Sequence, residues 1–187
     1  MRIVGLVVVA LLASLGVTPS HAGAGDPRWV FYTDDRTRYT SPWFEGAHRI
    51  LIPFGCTSAP YYVPDPRCAG DDGFHHGLDI AMPCGTRLYA AKGGRVLSDD
   101  TLGAAYGVNP LLIRNTKLGY DLLIAHTRRV FVEPGDRIRR GKVIARASDS
   151  GAPDGCHLHF ERRAIGGGLD SATRPRGLLA LTPKESP

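Results

Sequence analysis

The chain has 187 residues, 43% hydrophobic and 22% charged, with 23 Lys+Arg against 18 Asp+Glu and a formal net charge of +5. That hydrophobicity excludes an intrinsically disordered chain, and the lack of several long apolar runs excludes a polytopic membrane protein. With 23 Gly and 14 Pro, long regular helices are not expected, and the length suits one domain.

Residues 1–22 read as a signal peptide. Arg2 supplies a positive start, Ile3 to Val17 is apolar, and Ser20-His21-Ala22 has the small-x-small pattern of a cleavage site. The apolar stretch of about 15 residues falls short of the roughly 20 that span a bilayer, so cleavage is expected rather than retention as an anchor. The chain is then exported (periplasmic, wall-associated or extracellular), with no stable membrane insertion after the leader is removed. Arg2 is the only charge lost, which leaves +4. Residues 23–49 are polar, with Trp29, Phe31, Tyr32, Trp43 and Phe44 scattered among them without a period. They are expected to form an arm packed on the main domain, 50–187.

In that domain short apolar runs are separated by Gly, Pro and Asp. Arg49 to Phe54, Leu78 to Met82, Arg87 to Ala91 and Pro110 to Arg114 are of this kind, as are Tyr120 to His126, Arg129 to Val132, Lys142 to Ala147 and His157 to Arg162. Such runs are strands. The tail after Ala164 is rich in Gly and Pro, with Gly177 to Leu181 available to tie it down. The predicted fold class is all-β: a mostly antiparallel sheet with short helices or none.

An even cysteine count in an exported chain points to disulfides, and four cysteines allow three pairings. Cys56 and Cys68 bracket a short loop containing Pro60, Pro64 and Pro66, so a local bridge there is the simplest choice. Cys84 would then pair with Cys156. Free or metal-binding thiols are the competing reading.

Histidines gather in three segments: His75-His76-Gly77-Leu78-Asp79, Ala125-His126-Thr127 and Cys156-His157-Leu158-His159-Phe160-Glu161. Residues two apart in a strand share a face, so His157 and His159 project together while Leu158 and Phe160 turn to the apolar side. Two imidazoles side by side can serve a zinc site, and an oxygen from Asp79 would complete three ligands with a fourth position open, as catalytic zinc requires. A His-x-His pair alone is weak evidence; combined with His-x-x-x-Asp and a further histidine, it is strong.

Phe74 to Pro83, with Gly85-Thr86 and Tyr89-Ala90-Ala91, resembles the first signature of the lysostaphin/LytM-type zinc endopeptidases. Ile124-Ala125-His126 is similar to their central histidine segment. Val132, Gly135-Asp136, Ile138, Gly141 and Ile144 are similar to the hairpin that follows. Ser150-Gly151 and His157 to Glu161 match the terminal His-x-His signature, so the resemblance runs over about residues 70–165. It implies one zinc ion per chain in an open groove, held by His75, Asp79 and His159, with His126 and His157 as the catalytic pair. It also implies cleavage of peptide bonds in peptidoglycan stems or cross-bridges. The central segment departs from the family pattern at Ile124, where an aromatic is usual, and at Thr127, where Leu is usual; this bears on the shape of a subsite.

If Asp79 and His159 face each other on antiparallel strands, Cys84 and Cys156 fall within two residues of the same register, and their bridge would brace the metal site. Thiolate ligation of zinc by Cys84 or Cys156 is the rival. His76 is expected to support the site without ligating, and Glu161 either to orient an imidazole or to pair with Arg162 or Arg163. His48 lies outside every motif.

Three functions are consistent with these residues. The first is an active peptidoglycan endopeptidase. The second is a non-catalytic wall-binding or regulatory module of the same fold that activates other hydrolases; such members typically lack the metal ligands, which this chain keeps. The third is a lipoyl-like carrier, whose hairpin Val132 to Gly141 resembles but whose lysine-bearing turn is absent. Arg is 19 of the 23 basic residues, clustered at Arg128-Arg129, Arg137 to Arg140 and Arg162-Arg163. For an exported chain this favours anionic wall polymers over nucleic acid, or simply a solvated face.

Overall fold

Short strands make up nearly all the regular structure in a computed structural model that describes residues 25–98 and 100–185. The expected signal peptide, 1–22, lies outside the described residues. The first half holds β1 (Tyr39–Ser41), β2 (Phe44–Ile50), β3 (Gly55–Thr57), β4 (Gly73–His75), β5 (Leu78–Ala81), β6 (Arg87–Tyr89) and β7 (Gly94–Leu97). The second holds β8 (Leu111–Asn115), β9 (Tyr120–Ala125), β10 (Thr127–Arg128), β11 (Arg137–Ile138), β12 (Val143–Ala147), β13 (His157–Arg163) and β14 (Thr182–Pro183). One α-helix, α1 (Arg176–Leu179), occurs among the described residues, and none there is long and apolar enough to cross a membrane.

Twelve strands form one curled antiparallel sheet in the order β10-β12-β6-β2-β5-β13-β9-β8-β7-β11, with β1 added to β2 and β14 to β1. The remaining two, β3 and β4, pair with each other. The all-β antiparallel class expected from the short punctuated runs is the class observed.

Alternation along the central strands separates the chemistry from the core. On β13, Leu158 and Phe160 join a cluster with Ile80, Leu122 and Ile124, while His157, His159 and Glu161 point to the opposite face. Trp43, 1% exposed, stacks edge-on to Phe160 at 5.0 Å and donates Nε1–H to the Leu178 carbonyl at 2.9 Å. Ser41 Oγ–H donates to the Leu179 carbonyl at 2.6 Å, so the tail is tied down where α1 ends. A smaller cluster of Leu51, Ile52, Ala59 and Ala81, with Trp29, Phe31, Tyr32 and Tyr62 against it, packs near the histidine-bearing face.

Three segments differ from expectation. Residues 39–50, mostly within the stretch read as an arm, are β1 and β2 of the main sheet; the tight turn at Pro42-Trp43 and the irregular register between Tyr39 and Ser41 hide their alternation in sequence. The Arg129 to Val132 run is not a strand, because Arg129 takes a left-handed φ of 49° and ends β10 at Arg128. Pairing also extends to β7, whose leading Gly94 and Arg95 break the apolar pattern used to find strands.

Both disulfides join the cysteines expected: Cys56 to Cys68, with Cα atoms 5.4 Å apart, and Cys84 to Cys156, at 5.3 Å. The second follows from the register, because His159 pairs with Asp79 and His157 with Ala81 on antiparallel β13 and β5. Both thiols of that pair are consumed, which removes them as zinc ligands.

Candidate active site

Four strands converge on one place. His75 ends β4, a bend at His76-Gly77 turns the chain into β5, and Asp79 then faces His159 across the β5–β13 ladder. On the other side of β13, His159 pairs with Ala125, so the next residue, His126, is delivered to the same point. The close spacing of His75 and Asp79 is the length of that bend. The sheet, not the sequence, supplies the 80-residue jump to His159.

The proton positions follow from the carbonyls. His75 Nδ1–H donates to the Pro53 carbonyl at 3.0 Å, which leaves its Nε2 lone pair free. His159 Nε2 lies 2.8 Å from Glu161 Oε1, a carboxylate that only accepts, so His159 turns Nδ1 inward. His75 Nε2, His159 Nδ1 and Asp79 Oδ1 then lie 3.2, 3.4 and 2.8 Å from one another. Three ligand atoms this close and buried can hold a metal ion between them once His159 Nδ1 gives up its proton. Tetrahedral bonds of about 2.0–2.2 Å place neighbouring ligands roughly 3.3–3.6 Å apart, so two of the three separations need little or no change to accept zinc. The donor set of two imidazoles and one carboxylate also suits that ion.

Electrostatics agrees. Burial opposes the charged form of Asp79, but His75, His157 and His159 outweigh it and hold the carboxylate well below its usual range. Burial likewise opposes a charged His159, yet Asp79 and Glu161 push its pKa up to about 10. The site is built to stabilise positive charge.

His126 and His157 stand beside this cluster with ring centroids 4.4 Å apart. His126 donates Nδ1–H to the Ser150 carbonyl at 2.7 Å, and His157 donates Nδ1–H to the Gly155 carbonyl at 2.9 Å. Each therefore has an unprotonated Nε2 when neutral. His126 sits at a left-handed φ of 54°, an uncommon conformation for a residue with a side chain. Its N–H donates to the Tyr106 carbonyl at 3.1 Å and its carbonyl accepts the Ser148 N–H at 2.7 Å, which holds the strained turn in place. Burial, then His157 and His159, lower its pKa to about 3.

The structure brings together all five residues singled out in the sequence and adds others. Glu161 takes the orienting part: it accepts from His159 and from Arg163 Nε at 2.6 Å, and Arg163 in turn donates to Tyr106 Oη at 2.8 Å. Tyr62 packs on His75 with centroids 5.1 Å apart. Asp154, 4% exposed, places Oδ1 3.6 Å from His157 Nδ1. Burial raises its pKa, with Asp79 adding to the effect. Tyr62, Tyr106 and Asp154 carry no spacing signal, because loops set their positions. His76 turns away and lies 3.0 Å from Arg67 Nη2. The segment before β1 reaches the site too: Trp29 Nε1–H donates to the Cys156 carbonyl at 2.7 Å, and the Cys156 N–H donates to Asp26 Oδ2 at 3.1 Å.

A curled antiparallel sheet that gathers two histidines and an aspartate around a cation-seeking centre, with two more imidazoles alongside, defines a metallopeptidase-like domain. The chain belongs to peptidase family M23, whose model matches residues 73–171. Among solved structures it is similar to LytU, with 31% identity and a TM-score of 0.58 over 72% of this chain and 86% of that one. It shares the fold of the catalytic domain of lysostaphin from Staphylococcus simulans, at 22% identity and a TM-score of 0.57, over 71% of this chain and 92% of that domain. It is 33% identical over 87 residues to the peptidoglycan DD-endopeptidase ShyB of Vibrio cholerae, covering 46% of this chain but only 20% of ShyB. The resemblance to lysostaphin-type peptidases drawn from the motifs is thereby established.

Proposed function

We propose that this protein is an exported zinc metalloendopeptidase that hydrolyses peptide bonds in the stems or cross-bridges of bacterial peptidoglycan. The observation that carries the reading is the convergence of His75 Nε2, Asp79 Oδ1 and His159 Nδ1, with two further imidazoles beside them. His75, Asp79 and His159 would hold the ion, and Glu161 keeps the His159 lone pair turned inward. A zinc ion there supplies Lewis acidity toward a carbonyl and a water molecule. His126 and His157, each with Nδ1–H anchored on a carbonyl, present Nε2 to the reacting groups. As a pair they take a proton from the attacking water, donate to the developing oxyanion and return the proton to the leaving amine. The anchoring carbonyls keep both rings oriented through that exchange. ShyB, whose name states an endopeptidase acting on peptidoglycan, supports the substrate class.

The test is mass spectrometry of fragments released from purified peptidoglycan, with and without a chelator, alongside a zinc measurement. The expected result is a chelator-sensitive release of new amino termini, restored by zinc, with His159→Ala losing both zinc and hydrolysis. A wild-type protein that binds zinc and walls but releases nothing would instead match the regulatory module. Unchanged lysis by His159→Ala would refute the assignment of the centre.

A further inference from the structure

The register of the sheet places charged residues in a transverse row on the histidine-bearing face. Arg137 pairs with Arg95, Arg95 with Arg114, Arg114 with Asp121, and Asp121 with Arg163, across β11, β7, β8, β9 and β13. Paired residues share a face, and Arg163 lies four residues along β13 from His159, about 13 Å away. The row therefore runs outward from the candidate active site to the sheet edge.

Its one acid is fully used. Asp121 takes Arg114 in a two-pronged pair at 2.8 and 2.7 Å and also accepts the Gly166 N–H at 2.8 Å. Arg163 is held by Glu161 and Tyr106. Among the described residues no carboxylate pairs with Arg95, Arg137, Arg139 or Lys117, although like charges facing each other across strands are unfavourable. These four and Arg114 line a cleft of about 750 Å³ whose described lining includes no acidic and no aromatic side chain. Arg114 also lines a second cleft, of about 510 Å³, with Tyr106, Asp121 and Arg163. The Tyr106 ring is 5.8 Å from that of His159, so this second cleft borders the candidate active site and shares Arg114 with the outer one.

We propose that the outer cleft binds a linear phosphodiester polymer without bases, of the poly(glycerol phosphate) kind. Three of the four cations without a carboxylate partner are guanidiniums, whose planar forks match phosphate oxygens two at a time. Strands about 4.8 Å apart repeat the positive charge at short intervals, which suits a chain of regularly spaced anions rather than a single one. The lack of aromatic lining removes the stacking platform that single-stranded nucleic acid uses. The site does not depend on the hydrolase reading.

The experiment measures binding of the full chain to purified poly(glycerol phosphate) by calorimetry over a range of salt concentrations. The double variant Arg95→Gln/Arg137→Gln should bind at least tenfold more weakly. Its plot of log K against log salt should be shallower by about 1.5, since two fewer phosphates are neutralised. Arg128→Gln/Arg129→Gln, which removes the same charge elsewhere, should change affinity less than twofold. Orthophosphate, polyglutamate and phosphatidylglycerol vesicles at matched charge should bind more weakly than the polymer. No binding by the unsubstituted protein, equal losses in the two double variants, or tighter binding of polyglutamate, vesicles or an oligothymidylate would each overturn the proposal. Cleavage of a soluble peptide should be the same in the Arg95→Gln/Arg137→Gln variant as in the unsubstituted chain, which separates this outcome from any failure of the hydrolase reading.

Discussion

Gly77 shows how little room the candidate centre leaves. A Cβ added there would lie 2.6 Å from His159 Cε1 and 2.9 Å from its Nε2, so Gly77→Ala must displace the ring that Glu161 orients. The expected result is a zinc affinity at least tenfold lower by chelator competition, since disturbing the support of a ligand typically costs 10–100-fold. At Gly103 an added Cβ meets nothing within 4 Å, and Gly103→Ala should leave the affinity unchanged. His126 provides a pH test at the same scale. Its folded pKa, about 3, lies below the ordinary 6.5, so the unfolded chain binds the proton more readily. The stabilisation from a neutral His126 is therefore complete above pH 6.5 and lost as pH falls toward 3. Between pH 6.5 and 4 this should amount to roughly 2 to 3 kcal/mol. His126→Gln should lose that much less stability than the unsubstituted protein in urea titrations across the window, and parallel losses would contradict the assignment.

At the scale of elements, the β5–β13 ladder carries Asp79, His157 and His159, and the Cys84–Cys156 bridge closes it just beyond His157. That bridge spans 72 residues of chain, whereas Cys56–Cys68 spans 12. In the loop-entropy model the long closure is worth about 4 kcal/mol and the short one about 3. Replacing Cys84 and Cys156 by Ser should lower the urea midpoint more than replacing Cys56 and Cys68, and the reverse order would show that the bracing is not entropic. Much of this scale was legible in advance. The alternation His157, Leu158, His159, Phe160 identified both faces of β13, and the facing of Asp79 and His159 brought Cys84 and Cys156 into reach. The turns were not legible, because His126 and Arg129 take left-handed conformations that their residue types do not announce.

For the whole molecule, the stretch before residue 50 matters most. Tyr39, Trp43 and Phe44 are buried in the main core, and β2 bridges β5 and β6. A chain starting at residue 50 should therefore lack a cooperative thermal transition. Losing Trp43 alone is worth about 3–5 kcal/mol, much of the stability of an ordinary domain. A sharp melt at the temperature of the full chain would contradict this.

What the sequence determined by itself is the set of chemical groups and their local facing: the His-x-x-x-Asp and His-x-His spacings, the strand alternation, and four cysteines with a credible pairing. These are readable because strand geometry repeats every two residues and needs no partner. Tertiary structure decided the rest. It chose which nitrogen of each imidazole is free, through the carbonyls of Pro53, Ser150 and Gly155 and the carboxylate of Glu161. It brought Tyr62, Tyr106 and Asp154 to the centre and lined up arginines from four strands into a row. Those outcomes depend on contacts between segments tens of residues apart, and sheet pairing fixes such contacts only once the whole chain has folded.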